Sequence, residues 1–330
     1  MLKNAKELGE RRIIEIIQKR LDQMPKITVP FGDDVSAFEI EGGDLAVLKT
    51  DMLVGKTDVP KGMNLWQAAR KAVVMNISDF AAKGVQPVAV LVSLGLPGNL
   101  TQRNIEEIGS GLNAGARQYG AYVIGGDTGE ASDLVISVSL FGIAKKSELV
   151  LRSKAKPGDV VAVTGPFGKT SAGLKILTDH LEAPKEISKV LVASVLMPNA
   201  RLKEGIALAQ SGAVTAAIDS SDGLAWSLHE IARASKVRIT VDSLPIADEV
   251  EKFAVINKLG SSDLVLYGGE EYELVVTVKS RMWNLATDAV KEAGGNLYPI
   301  GKITAGKGVF LKTRKKRVAI ESRGYEHFKA

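Results

Sequence analysis

The chain has 330 residues, room for one large domain or two ordinary ones, and its 45% apolar and 25% charged residues make a globular balance that excludes disorder. It contains no cysteine, which excludes disulfides, thiolate metal sites, iron–sulfur clusters and cysteine nucleophiles together and fits a cytoplasmic protein. The net charge of +5 is small for the length and dispersed, and no apolar run approaches the ~18 residues of a membrane span, so neither nucleic acid nor a membrane is an expected partner.

In chain order, the opening MLKNAKELGERRIIEIIQKR reads as an amphipathic helix rather than a signal peptide. PFGDDVSAF, Pro30 to Phe38, then sets Asp33 beside Asp34 among apolar residues; like charges repel, so the pair implies a bound cation or a turn. A strand over Leu45–Leu48 ends in KTD, Lys49 to Asp51. A helix over Leu65–Lys83 follows, with Asn76, Asp79 and Lys83 at helical spacing on one face. Next come a strand over Val88–Leu94, a helix over Thr101–Tyr119 opened by a Thr101 N-cap, and a strand over Tyr122–Ile124 that ends in GGDT, Gly125 to Thr128. After a strand over Leu134–Ile143, the polar segment RSKAKPGD, Arg152 to Asp159, marks a boundary between domains spanning 1–150 and 151–330. Beyond it the pattern restarts with a strand over Val160–Val163 and helices over Lys169–His180, Asn199–Ser211, Leu224–Ser235 and Met282–Ala293, with strands between. Two α/β domains of similar size are expected, without a short-period repeat.

Aspartate is a poor former of strands and helix interiors, so its repeated placement where strands end needs a reason. Turn chemistry is one; a hard cation such as Mg²⁺, which takes carboxylate and phosphate oxygens, is the other. Gly125 and Gly126 would let backbone approach a bulky anion, and carboxylates beside such a turn suggest metal-bridged phosphate. AIDSSDGL, Ala217 to Leu224, adds Asp219 at the end of an apolar stretch, while Ser221 or Asp222 serves equally well as an N-cap. In GGEEYEL, Gly268 to Leu274, Glu270 and Glu271 fit either ligands or a solvated hairpin edge. TGPFGKTSAG, Thr164 to Gly173, fails as a P-loop because Val163 stands where the motif needs glycine, so Lys169 is not its lysine. His180, His229 and His327 lack metal-ligand spacing, and the basic run from Lys312 to Arg317 follows Val309–Leu311 as a hairpin tip would.

The ordered series GDD, TDMLV, KAVVMNISDFAAKGVQP, GGDT, RSKAKPGD, IDSSDGL, GGEEYEL and GYEHF, running from Gly32 to Phe328, resembles the thiamine-monophosphate kinase family. Its superfamily also holds aminoimidazole ribonucleotide synthetase, selenophosphate synthetase and a hydrogenase-maturation protein. The absence of cysteine disfavours the last two, and TDMLV with ISDFAAKG fits the thiamine branch better than the purine one. The resemblance implies a mixed α/β (α+β), two-domain, aminoimidazole ribonucleotide synthetase-like fold. Its N-terminal domain would pair strands across a homodimer, and its C-terminal domain would complete a cleft for ATP and several Mg²⁺ ions. It implies metal ligands at Asp34, Thr50, Asp51, Asp79, Asp127, Asp219 and Asp222, with Asp79, Asp51 and Asp219 serving catalysis and Asp33 ordering the turn. Nucleotide contacts would fall on Gly126, Asp127, Arg152 and Ser221, and thiamine contacts on Glu270 and Tyr325. Two departures stand out: Lys49 replaces a common Ser or Thr, and Asp58 in GKTDVP takes the place of a substrate-contacting His. The implied activity is ATP-dependent phosphorylation of thiamine monophosphate to thiamine diphosphate. Two alternatives remain: a related kinase or synthetase for another small anion, and a non-catalytic nucleotide-binding dimer.

Overall fold

A computed structural model describes residues 3–328 with the exception of 315. The N-terminal stretch expected as one helix is two, α1 (Ala5–Leu8) and α2 (Glu10–Gln18), because the chain breaks at Gly9 with φ 75° and ψ 161°. The first half then runs β1 (Ile27–Val29), β2 (Ser36–Glu39), β3 (Asp44–Val54), α3 (Gly55–Asp58), α4 (Leu65–Lys83), β4 (Pro87–Leu96), α5 (Gln102–Gln118), β5 (Tyr122–Glu130) and β6 (Val135–Lys145). Its six strands pair in the order β1-β2-β3-β6-β4-β5. Only β4 and β5 are parallel. That pairing needs a crossover, which α5 supplies.

KTD and GGDT do not end strands as the sequence suggested; they lie inside them. β3 pairs with β6 without interruption from Asp44 to Val54, and β5 follows β4 as far as Glu130. Ladder hydrogen bonds along the whole length outweigh the poor strand propensity of aspartate and glycine. Alternation along β3 puts Leu45, Val47 and Leu53 in the core and leaves Leu48, Thr50 and Met52 on an open outer face.

The second half continues β7 (Val160–Val163), α6 (Lys169–Thr178), α7 (Lys185–Leu196), α8 (Leu202–Gln210), β8 (Val214–Asp219), α9 (Leu224–Ser235), β9 (Arg238–Val241), α10 (Asp248–Ile256), α11 (Ser261–Tyr267), β10 (Leu274–Val278), α12 (Trp283–Glu292), β11 (Tyr298–Thr304), β12 (Gly308–Lys312) and β13 (Arg317–Ala319). Its seven strands pair as β13-β12-β9-β11-β7-β10-β8. α6, α8 and α12 are shorter than their sequence patterns by one to three residues at an end. Neither Ser221 nor Asp222 caps α9, whose N-cap is Gly223. β12 and β13 form a hairpin over the basic run, closed by Thr313 N–H donating to Lys316 O at 2.8 Å. No described helix is long and apolar enough to cross a membrane.

The helix α4 sits between the halves. One core joins its Ala69, Val73, Ile77 and Phe80 to Val47 and Val138 of the first sheet and to Ala217, Leu274 and Val276 of the second. A helix packed on opposite sides is apolar around most of its circumference, which explains why nearly every α4 residue after Gln67 is buried. Its N-terminus is closed by a capping box between Asn64 and Gln67. Helix α8 packs so tightly on it that a Cβ on Gly205 would lie 2.0 Å from Ala81 O. Gly205→Val should therefore force the helices apart and lower the unfolding free energy by about 2–3 kcal/mol in urea denaturation. An unchanged midpoint would show that this contact does not hold the halves.

Candidate active site

The polar residues of α4 must find partners inside protein. The Lys83 ammonium, with no solvent exposure, lies 2.6 Å from Asp33 Oδ1 and 2.7 Å from Asp34 Oδ2, and donates to Ala217 O at 2.8 Å. Arg152 clasps the same pair from the interdomain segment: its Nε donates to Asp34 Oδ1 at 2.8 Å and its backbone N–H to Asp33 Oδ2 at 3.0 Å. Asp33 also accepts from Asp34 N–H at 2.9 Å, so it orders the turn as expected and binds two cationic residues as well. Burial alone would raise the Asp34 carboxyl, but Arg152 and Lys83 hold it below its ordinary value.

One turn earlier on α4, Asp79 faces Lys49 on β3. Lys49 Nζ is 3.0 Å from Asp79 Oδ2 and 3.6 Å from Asp51 Oδ2. Asp79 therefore has a structural partner that the sequence did not reveal. Asp219, at the end of β8, accepts from Ser78 Oγ at 2.8 Å. Ser221 Oγ lies 3.5 Å from the other Asp219 oxygen. Asp34, Asp79 and Asp219 each place a carboxylate oxygen within 4.8 Å of the others. Burial pushes Asp219 up to about 6, helped by the nearby Asp34 charge, and pushes Asp222 up to about 7, helped by Asp219. Asp79 rises well above its ordinary value for the same reason. Raised carboxyls among crowded like charges mark a site short of positive charge. Three hard oxygens converging there suit Mg²⁺, and the buried Asn76 Oδ1, on the same α4 face, has no hydrogen-bond donor. Asp34, Asp79 and Asp219 therefore fit a divalent ion.

Thr50 and Asp127 do not join this group within one chain. Asp51 aligns with Val138, Val92 and Gly126 across four strands on the inner face. Asp127 aligns instead with Ser93, Ser137 and Met52 on the outer face, about 14 Å from β3. Thr50 also faces outward, its Oγ1 donating to Val138 O at 3.2 Å and accepting from Ser139. Gly126 has a packing reason: a Cβ there would lie 1.7 Å from Val92 O.

A second focus surrounds Tyr325. The buried Lys71 ammonium is 2.5 Å from Glu270 Oε1 and donates to Asp58 O at 2.9 Å. Asp58 Oδ2 accepts from Val54 N–H at 2.7 Å, bracing the turn that carries it. Tyr325 is half exposed, and its N–H donates to Asp222 O at 3.0 Å. Its phenol is raised by burial and then by the carboxylates of Asp58, Glu270, Glu10 and Asp222. An aromatic face ringed by four carboxylates suits a flat cationic ligand. Glu271 instead accepts from Gly168 N–H at 2.7 Å and Thr170 N–H at 3.1 Å, filling the N-terminus of α6 with a carboxylate where a P-loop would hold phosphate. Sequence reasoning missed Lys71 and Glu10 as site residues. Lys71, in a helix whose sequence neighbours Ala68, Ala69, Ala72, Val73 and Val74 are apolar, was the available signal for the first of these.

Residues 32–144 match the family described as AIR synthase related protein, N-terminal domain, and residues 156–314 the corresponding C-terminal domain. The chain is 35% identical to the thiamine-monophosphate kinase of Nitrosopumilus maritimus, with 98% of this chain and 99% of that one covered. It is 38% identical to the enzyme of the same name from Pyrococcus horikoshii, with 98% of each covered. Among solved structures, AaThiL complexed with AMPPCP and TMP superposes with a TM-score of 0.86 at 29% identity, covering 99% of both chains.

The raised carboxyls have a thermodynamic consequence. An acid whose folded pKa exceeds its unfolded value binds more protons when folded, so stability falls as pH rises between the two values. For Asp219 and Asp222 that window runs from the ordinary 3.8 to about 6 and about 7. With a chelator present, the unfolding free energy from these groups should decline from about pH 4 to about pH 7, and Mg²⁺ should flatten the decline. Urea titrations across the window check this; a rise under chelation would contradict the burial of these carboxyls.

Proposed function

We propose, for a chain that belongs to the thiamine-monophosphate kinase family of AIR synthase related proteins, that it transfers the γ-phosphoryl group of ATP to thiamine monophosphate, giving thiamine diphosphate and ADP. The observation that carries this reading is the convergence of Asp34, Asp79 and Asp219 from three separate segments, in a chain matched end to end by kinases of that name. The relative solved with AMPPCP and TMP supports the same pair of substrates.

An oxygen of the acceptor phosphate attacks the γ-phosphorus, and the bond to the oxygen bridging the β- and γ-phosphorus breaks, with its electron pair leaving on ADP. A phosphate monoester has a second pKa near 6, so the attacking oxygen is mostly ionised at neutral pH and needs no general base. The histidines fit that requirement: His229 Nε2 is engaged with Ile320 O, and the His327 ring meets Tyr325 edge-on at 5.0 Å. The obstacle is bringing two anions together, so positioning and charge neutralisation carry the catalysis. Mg²⁺ held by Asp79, Asp219 and Asp34 supplies charge neutralisation on the phosphates when bound. Lys83 and Arg152 keep Asp34 ionised, Ser78 orients Asp219, and Arg152 and Ser221 border the nucleotide side. Tyr325, with Glu270 and Asp58, receives the thiazolium ring.

The outer face of the first sheet suits a second copy of the chain. Leu48, Met52, Leu91, Tyr122 and Ile124 are all exposed there or along β5, whose free edge is unpaired. Thr50 and Asp127 face the same way, so their proposed parts in metal and nucleotide binding depend on the assembled dimer. Sedimentation should give twice the 35.1 kDa chain mass. A monomeric mass at all concentrations would remove this assembly.

The activity is tested by ADP formation from ATP and Mg²⁺ with and without thiamine monophosphate, with the thiamine product identified by chromatography. ADP that depends on acceptor and equals thiamine diphosphate is the expected outcome; ADP without acceptor dependence would point to another substrate. In the same assay Tyr325→Ala should raise KM for the thiamine substrate about five-fold, the equivalent of about 1 kcal/mol of cation–π contact, and leave KM for ATP nearly unchanged.

A further inference from the structure

We propose that the ammonium group of Lys49 takes the place of one divalent cation in the acidic cluster, permanently filling the bridge between Asp51 and Asp79. This rests on the reading of the cluster as a Mg²⁺ site. Lys49 and Asp51 are two residues apart on β3 and share its inner face, opposite Asp79 on α4. The ammonium is 3.0 Å from Asp79 Oδ2 and 3.6 Å from Asp51 Oδ2, and the lysine side chain is only 18% exposed. Among the described residues no other cation or hydrogen-bond donor reaches either carboxylate. Asp34, by contrast, is held by two cationic residues, and Asp219 has a hydroxyl donor.

A Mg²⁺ ion bridging Asp51 and Asp79 would sit about 2.1 Å from its ligand oxygens. The ammonium reaches one oxygen of each carboxylate, 3.0 Å from Asp79 Oδ2 and 3.6 Å from Asp51 Oδ2, and so fills the space between them from which an ion would have to bridge the pair. With Lys49 in the bridge both carboxylates already have a cationic partner, and no ion is needed between them. Asp79, with Asp34 and Asp219, remains for a divalent ion at the neighbouring position. Asp51 is thus a lysine partner in this chain rather than a metal ligand, and the cluster has room for one fewer divalent ion.

The test counts Mn²⁺ bound to the full-length protein without nucleotide, by electron paramagnetic resonance of the free ion. Lys49→Ala should bind one more Mn²⁺ per chain than the wild type, and Lys49→Arg should match the wild type. Metal-free Lys49→Ala should also melt lower than the wild type and recover more on adding Mn²⁺. Equal numbers in Lys49→Ala and wild type, even with tighter binding by the variant, overturn the proposal, because they mean that the metal displaces the lysine. Should Lys49→Ala fail to fold, Asp51→Asn decides: an unchanged Mn²⁺ number supports the proposal, and the loss of one ion overturns it. No Mn²⁺ bound by either protein overturns the metal reading itself, and the inference with it.

Discussion

The Lys83 ammonium, closed off from solvent, fastens three distant segments at once: the turn before β2 through Asp33 and Asp34, the end of α4 that carries it, and β8 through the Ala217 carbonyl. Removing one partner of such a buried pair typically costs about 3–5 kcal/mol, because the other charge is left without water or counterion. The same contact fixes where Asp34 stands relative to Asp79, one turn along the helix, and to Asp219, two residues beyond Ala217 on the strand. The three-carboxylate group is therefore a consequence of how the halves are joined.

Charge explains the rest of the site. Six carboxylates, those of Asp33, Asp34, Asp51, Asp79, Asp219 and Asp222, gather near three cationic side chains, Lys49, Lys83 and Arg152. Burial raises the Asp79, Asp219 and Asp222 carboxyls and their acidic neighbours add to it, while Asp34, with two cationic neighbours, falls. Such a site is incomplete without added positive charge, and it is suited to substrates that bring phosphate and metal together. A lysine in the cluster is one way for the chain to supply part of that charge itself.

The surroundings of Tyr325 are built differently. Glu270 and Tyr272 both adopt left-handed backbone, at φ 62° and 53°, which costs on the order of 1–3 kcal/mol for each such residue. The strain is held by the Lys71–Glu270 pair on one side and by the fully packed Tyr272 ring on the other. A loop fixed this way holds the Glu270 carboxylate near Tyr325 with little freedom. The N-terminal helix contributes too: Glu10 accepts from His327 N–H at 3.1 Å, and the Arg11 guanidinium stacks 3.2 Å over Trp226, tying the first and last segments of the chain beside this loop.

Periodicity was enough to place α4 at Leu65–Lys83 and α9 at Leu224–Ser235, because a helix packed on its neighbours repeats its apolar residues wherever it lies. The ordered motifs likewise identified the family, and with it the mixed α/β fold. What the sequence by itself determined was the inventory: which carboxylates, which lysines, which aromatic. The tertiary structure alone decided which of them meet. Asp51 and Asp127 look alike as short acidic motifs after apolar runs, yet strand register turns one inward and the other outward, since side-chain direction alternates at every residue and depends on the partner strand. Lys49 looked like a departure from a pattern, and only the packing of β3 against α4 made it the counterion of Asp79. Contacts between residues far apart in sequence leave no local periodicity, so neither pairing was legible before the chain was folded.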